Sequence, residues 1–236
     1  MKRWLKAELH AHTADDPADG NWIIFHSAEK LIDRASELGF DVLSVTNHDQ
    51  MLFSPSLREY AKQRGILLIP GVEATLAGKH VLLYNFPNYD SCWNNPQVIA
   101  TQKGPEQLVI APHPFFPSST SLGNQLFEWL HLLDGIEYNH FYLSWLNFNQ
   151  RAEEAAQRFN LPLVGNSDVH HLFQLGRTYT LVYAEKEISS VVEAIKLGNV
   201  GVITHPVSPL FVANWFARAA ISRPRYAMRV ALSFLL

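Results

Sequence analysis

Two histidines stand two residues apart near the start of the chain, in Glu8-Leu9-His10-Ala11-His12-Thr13. In an extended segment such a pair lies on one side of a strand, about 6–7 Å apart along it. Imidazoles so placed can grip one metal ion, while Leu9 and Ala11 point the other way into apolar packing. A strand histidine is more often a hydrogen-bonded core residue than a ligand, so the pair gains weight only from partners elsewhere. Those partners recur at the ends of short apolar runs: His48, Glu73, His80, His113, Asp168 and His170. Imidazole with carboxylate is the ligand set of zinc, manganese and iron. A glutamate in the apolar setting of Glu73 is costly unless paired or metal-bound, and a carboxylate can bridge two cations. The acidic loop after His12 offers Asp19 as the first choice of carboxylate ligand and Asp16 as the second. Asp49, next to His48, is placed to orient an imidazole from behind.

These residues need elements that bring them to one place. Apolar strands are expected at 6–12, 41–46, 66–70, 79–84, 108–111, 136–138, 161–164, 178–183 and 200–204. Helices are expected between them. One begins at the cap Ser27 and stops at Gly39, and one begins at Ser54-Pro55 and stops at Gly65. A short helix fits near 96–101. Further helices fit 127–133, 147–159 and, capped by Ser189, the stretch to Leu197. Alternating strands and helices with no repeat predict a mostly parallel sheet, closed into a barrel. Polar residues directly after strands lie where such folds gather their chemistry. Six strand exits carrying His, Asp or Glu are hard to explain as separately satisfied core residues. His26 reads as a surface residue ahead of its helix. The loops 85–103 and 116–123 are expected to shape a pocket, the second being rich in serine.

Composition narrows the classes. The chain has 236 residues, enough for one large α/β domain. Apolar residues make up 47% and charged residues 17%, below the roughly 25% common in soluble domains. That favours buried strands together with an oligomer interface or an apolar tail. A net charge of −3 offers no basic field for nucleic acid. The single cysteine, Cys92, excludes a disulfide framework and a thiolate zinc site. The N-terminus lacks the apolar run of a signal peptide, so a cytoplasmic protein is expected. Residues 207–236 are apolar and aromatic. Their longest uncharged run, Val207 to Ala217, is short of the ~20 residues a membrane span needs. A tail packing on a barrel of residues 1–206 is the expectation.

The ordered set Glu8-Leu9-His10-Ala11-His12-Thr13, Thr46-Asn47-His48-Asp49, Pro70-Gly71-Val72-Glu73, Ala111-Pro112-His113-Pro114 and Asn166-Ser167-Asp168-Val169-His170 resembles the motifs of the PHP (polymerase and histidinol phosphatase) superfamily. The resemblance covers residues 6 to 205, and Asn47 stands where the family commonly has Asp. It implies an α/β fold, a distorted (β/α)7 TIM-like barrel, with two or three divalent metal ions (Zn, Mn or Fe). Carried over, His10, His12, Glu73 and Asp168 hold the first metal, and Asp19, His48 and His170 the second. Glu73 bridges to a third, completed by His80 and His113. The implied activity is that of a small stand-alone phosphoesterase, acting on a phosphorylated metabolite or nucleotide through metal-activated hydroxide. In that mechanism Arg177 or His140 neutralises the phosphoryl oxygens, and His170 or another site histidine protonates the leaving group. The competing readings are amidohydrolase-type C–N hydrolysis, which His-x-His also suits, and a non-catalytic metal-binding or partner-docking domain.

Overall fold

The computed structural model describes residues 1–21, 23–213 and 217. Nine strands form one sheet: β1 (Arg3–Glu8), β2 (Val42–Val45), β3 (Leu67–Leu76), β4 (Lys79–Tyr84), β5 (Leu108–Ala111), β6 (Gly135–Asn139), β7 (Leu163–Asn166), β8 (Thr178–Ala184) and β9 (Val200–Thr204). Their order is β7-β6-β5-β4-β3-β2-β1-β8-β9. Beyond β1 the chain stays extended and reaches the far edge. The His12 N–H donates to the Val169 carbonyl at 2.9 Å and the Val169 N–H to the His10 carbonyl at 3.1 Å. Those two bonds close the upper end of the sheet into a distorted TIM-like barrel. At the lower end β7 packs directly on β8 and β9. A Cβ on Gly165 would lie 2.7 Å from Val202 Cγ1 and 3.0 Å from the Tyr179 carbonyl, so only glycine permits that approach.

The distortion departs from the mostly parallel expectation. The pairs β1–β2, β2–β3, β5–β6 and β6–β7 are parallel. The pairs β3–β4, β4–β5, β1–β8 and β8–β9 are antiparallel. The cause at β3–β4 is local. Ala77 and Gly78, at φ 47° and 78°, make a two-residue turn, and such a turn can only join antiparallel neighbours.

The helices named among the described residues are α1 (Ala28–Glu37), α2 (Pro55–Gln63), α3 (Pro96–Gln102), α4 (Gln150–Phe159) and α5 (Ile188–Lys196). The hydroxyl of Ser27 caps α1 by accepting the Lys30 N–H, and that of Ser54 caps α2 by accepting the Leu57 N–H, with Pro55 in its first turn. Two local expectations fail. Ser189 is inside α5, whose N-cap is Glu187 without a side-chain bond. The stretch 127–133 is not a helix: a 3-10 turn over Gly123–Phe127 is followed by further turns. Leu126, Trp129, Leu132 and Leu133 are still buried there, so the apolar spacing served turns rather than a regular helix. No helix among the described residues is long and apolar enough to cross a membrane. Of the C-terminal stretch, residues 209–213 are helical; positions 214–216 and 218–236 lie outside the described residues.

Asp41 ties three segments together just before β2. Its carboxylate accepts the Arg3 guanidinium, the Lys6 N–H at 3.1 Å and the Lys186 ammonium at 3.1 Å. Burial pushes this carboxyl up, but Arg3, the Lys6 N–H and Lys186 together hold it below its ordinary value. A carboxyl depressed in the folded state stabilises above its unfolded pKa and loses that contribution as pH falls through the folded value. Asp41→Asn is therefore expected to cost about 1–2 kcal/mol at pH 7. The difference from the parent should shrink towards pH 3. Urea melts at both pH values measure it; an equal cost at both would reject the charge-based account.

Candidate metal centre

The barrel geometry brings nine side chains from seven segments together at the upper end. Glu73 is at the centre and 1% exposed. Its Oε2 lies 3.2 Å from His10 Nε2, 3.3 Å from His12 Nε2 and 3.2 Å from His48 Nε2. Its Oε1 lies 2.8 Å from His80 Nδ1 and 3.2 Å from His113 Nε2. Glu73 is not beyond a strand end, as its sequence context suggested, but within β3, which continues to Leu76. Asp168 adds a second carboxylate, its Oδ1 3.4 Å from His10 Nε2, His12 Nε2 and His170 Nδ1. Asp19 reaches the edge of the group, with Oδ2 3.4 Å from His170 Nε2. Two of these residues have left-handed backbone, His113 at φ 27° and Asp168 at φ 45°. Such strain in residues other than glycine concentrates at functional sites.

What stands behind the imidazoles decides which nitrogen faces inward. His10 Nδ1 lies 2.8 Å from Glu137 Oε1, and His12 Nδ1 2.8 Å from Asp16 Oδ2. His48 Nδ1 lies 2.9 Å from the same Asp16 oxygen. His170 Nδ1 donates to the Asp168 carbonyl at 3.0 Å, and His113 Nδ1 meets Ser121 Oγ at 3.2 Å. Each of these partners can take an Nδ1–H, which leaves the Nε2 lone pair directed inward. His12 Nε2 is buried there without a hydrogen-bond partner. Lone pairs of imidazole and carboxylate meeting at about 3.2 Å repel unless a cation or a proton lies between them. The donor set therefore fits divalent cations, and several three-ligand groups are close enough to hold one, among them His10-His12-Glu73, His12-Asp168-His170 and His48-Glu73-His80.

The electrostatics agree. Burial pushes the His10 imidazole down, but Asp168, Glu137 and Glu73 more than reverse this and raise it well above its ordinary value. His12 behaves likewise beside Asp16, Asp168 and Glu73. Burial pushes Glu73 up, and His80, His10 and His48 outweigh it, leaving the carboxyl well below the usual range. Asp168 is depressed in the same way by His10 and His170. The site thus favours positive charge beside ionised carboxylates, as a metal centre requires.

Several residues have other places than their sequence context suggested. Asp16, the second choice of ligand, lies behind His12 and His48, where it orients both rings. Asp49 orients no imidazole: its Oδ1 accepts the Thr75 N–H at 2.6 Å. His26 is buried rather than on the surface, and burial pushes it down to about 4. Sequence reasoning passed over Glu137, which besides holding His10 accepts the His113 N–H at 2.6 Å and the Asn166 amide at 2.9 Å. It also passed over the supporting role of Glu8. That carboxylate accepts the N–H groups of His10 and Ser167, and burial pushes it up to about 8. The signal available for Glu137 was a charge in the middle of an apolar strand.

A cavity of about 350 Å³ opens beside the group. Its lining includes Ser118, Ser119 and Thr120, His140 and Gln174, and the rings of Phe116 and Phe141. Their rings meet edge to face at 5.7 Å. Of the two loops expected to shape a pocket, 116–123 does so; no residue of 85–103 is among the described lining. Arg177 does not line it either. Its guanidinium lies 5.3 Å from the Phe211 ring, and its Nε is buried without a hydrogen-bond partner among the described residues.

Residues 147–200 match the model of a family described as PHP-associated. An uncharacterized protein of Methanocaldococcus jannaschii is 25% identical over 144 residues, 58% of this chain and 83% of that one. A two-domain protein from Bacteroides vulgatus, described as containing a predicted PHP-like metal-dependent phosphoesterase, superposes with a TM-score of 0.65 at 23% identity. The match covers 86% of this chain and spans only 66% of that protein's length. An amidohydrolase from Chromobacterium violaceum superposes with a TM-score of 0.53 at 15% identity, over 70% of this chain and 87% of that one. At these identities the two superpositions speak for a shared fold.

Proposed function

We propose that the chain is a member of the PHP superfamily, a reading supported by its match to the PHP-associated family over residues 147–200 and by its fold, and that it is a metal-dependent hydrolase that cleaves phosphate esters. One observation carries the reading: six imidazoles and three carboxylates converge within 3.4 Å contacts beside a cavity whose lining includes serine and threonine hydroxyls. We assign His10, His12, Glu73 and Asp168 to one divalent ion, Asp19, His48 and His170 to a second, and His80 and His113 with Glu73 to a third. Divalent ions held there supply Lewis acidity towards a phosphoryl oxygen and lower the pKa of a water. The chain does the rest. Glu137 and Asp16 hold the His10, His12 and His48 rings in the tautomer that presents Nε2 inward. Asp168 and Glu73 stay ionised and keep the site negative. Ser118, Ser119 and Thr120 offer hydroxyls to the body of the ester, and Phe116 and Phe141 keep bulk water from that side.

A second reading, C–N hydrolysis, is favoured by the superposition on an amidohydrolase. It shares the metal centre and differs in substrate. Both are tested together on one purified sample, by metal content and by turnover of phosphoester and amide panels, with the His12→Ala, Asp168→Ala double variant as control. The expected result is at least two metals per chain and hydrolysis of para-nitrophenyl phosphate or a nucleotide by the parent alone. Chelation should abolish it, and added manganese or zinc restore it. Turnover of amides alone would move the assignment to C–N hydrolysis. Phosphoester turnover that survives thorough metal removal would reject the proposal.

A further inference from the structure

Gln174 is 2% exposed, lines the cavity and touches two parts of the site at once. Its Oε1 accepts the backbone N–H of His170 at 2.9 Å and of His171 at 2.6 Å. Only the oxygen of a carboxamide can accept, so these two donors fix which way the amide is turned. Its nitrogen is then the atom 3.1 Å from His140 Nε2. An amide nitrogen only donates, so His140 Nε2 must accept. A neutral imidazole that accepts at Nε2 carries its proton at Nδ1. His140 is 2% exposed, and burial pushes it down to about 4, which keeps the ring neutral near pH 7. Its Nδ1 is buried and has no hydrogen-bond partner among the described residues. Phe141 and Phe211 pack against the ring at steep angles, with centroids 5.9 and 6.1 Å away. Asp168 and Glu137 pull the ring the other way, and burial outweighs them, with His170 and Arg177 acting in the same sense as burial.

We propose that Gln174 is a positioning residue that clamps the loop carrying Asp168 and His170 and, with the same amide, holds His140 as a neutral Nδ1–H donor at the cavity wall. The consequence for hydrolysis rests on the phosphoesterase reading above. In that reaction His140 serves as a fixed donor to the ester and not as the acid that protonates the leaving group, because its Nε2 is already engaged.

The proton position can be read directly. The full chain, loaded with diamagnetic zinc and labelled with ¹⁵N at histidine, is examined by long-range ¹H–¹⁵N NMR, with His140 assigned by the loss of its signals in His140→Gln. The parent should carry the His140 proton on Nδ1. Gln174→Glu keeps an oxygen for the His170 and His171 N–H groups but opposes His140 Nε2 with an acceptor, so the proton should move to Nε2. With that move, kcat on para-nitrophenyl phosphate should fall on the order of 10²-fold, as for loss of one transition-state donor. KM and bound zinc should change little. A merely structural glutamine would leave the tautomer in place. A parent proton on Nε2, an unmoved proton in Gln174→Glu, or a moved proton with parental kcat overturns the proposal. If Gln174→Glu does not fold, the parent spectrum alone decides it. Failure of the parent to cleave any phosphoester would reject the proposed function and leave the tautomer result standing.

Discussion

Glu73→Gln is expected to strip the site of metal and of activity together. The substitution keeps the volume and shape of the side chain and removes only its charge. That charge faces five imidazole nitrogens within 3.3 Å while the carboxylate itself is 1% exposed. An amide there can present one oxygen to one set of rings. Its NH₂ group then points at the other set, where it can coordinate nothing. Breaking one partner of a buried charge cluster costs about 3–5 kcal/mol, which corresponds to a loss of ~10²–10⁴ in metal affinity. Metal content by mass spectrometry, a zinc titration and turnover are the measurements. A variant that retains the parental metal load would show that Glu73 is not the bridging group, and the three-ion assignment would fall with it.

The centre of this site was legible because it is written in short-range patterns. His10 and His12 share a side by strand alternation, which persists beyond the end of β1 through the hydrogen bonds to Val169. Asp168 and His170 likewise follow an apolar run, and Pro112 and Pro114 mark His113. What stands behind the ligands is not written that way. Glu137 meets His10 across 127 residues of chain, and no local spacing announces that contact. Gln174 acts through a loop turn and a through-space bond to His140, 34 residues away. The fold shows the same division. Hydroxyl caps and Pro55 marked α1 and α2, whereas the antiparallel course of β4 depends on left-handed backbone at Ala77, a residue type that carries no turn signal. Asp16 and Asp19 are the intermediate case. Both were visible as carboxylates after His12, but their division of labour depends on one turn. The Ala18 and Asp19 N–H groups donate to Asp16 Oδ1, which folds that side chain back under the histidines.

That turn makes Asp16→Asn the more informative of the conservative variants. Asp16 accepts Nδ1–H from His12 and from His48 and also accepts the His48 N–H at 2.8 Å. Burial pushes its carboxyl up, and His12 and His48 far outweigh that, so it is ionised throughout the working range. An asparagine keeps one acceptor and replaces the other with a donor. If its oxygen stays with Ala18 and Asp19, its NH₂ meets the two imidazoles and at least one of them must accept instead of donate. That ring then carries its proton on Nε2, aimed at the centre, where it blocks coordination rather than supplying it. If the amide turns over, the loop bonds to Ala18 and Asp19 are lost and the turn that brings Asp19 to His170 loosens. Either way the expected loss is about 10–100-fold in metal affinity. The companion variant Asp49→Asn should bind metal like the parent, because Asp49 Oδ1 accepts the Thr75 N–H and an asparagine oxygen can take it. Zinc titrations of the two variants side by side separate orientation from net charge, since each removes one negative charge. Equal losses would assign the effect to charge alone and remove Asp16 from its orienting role.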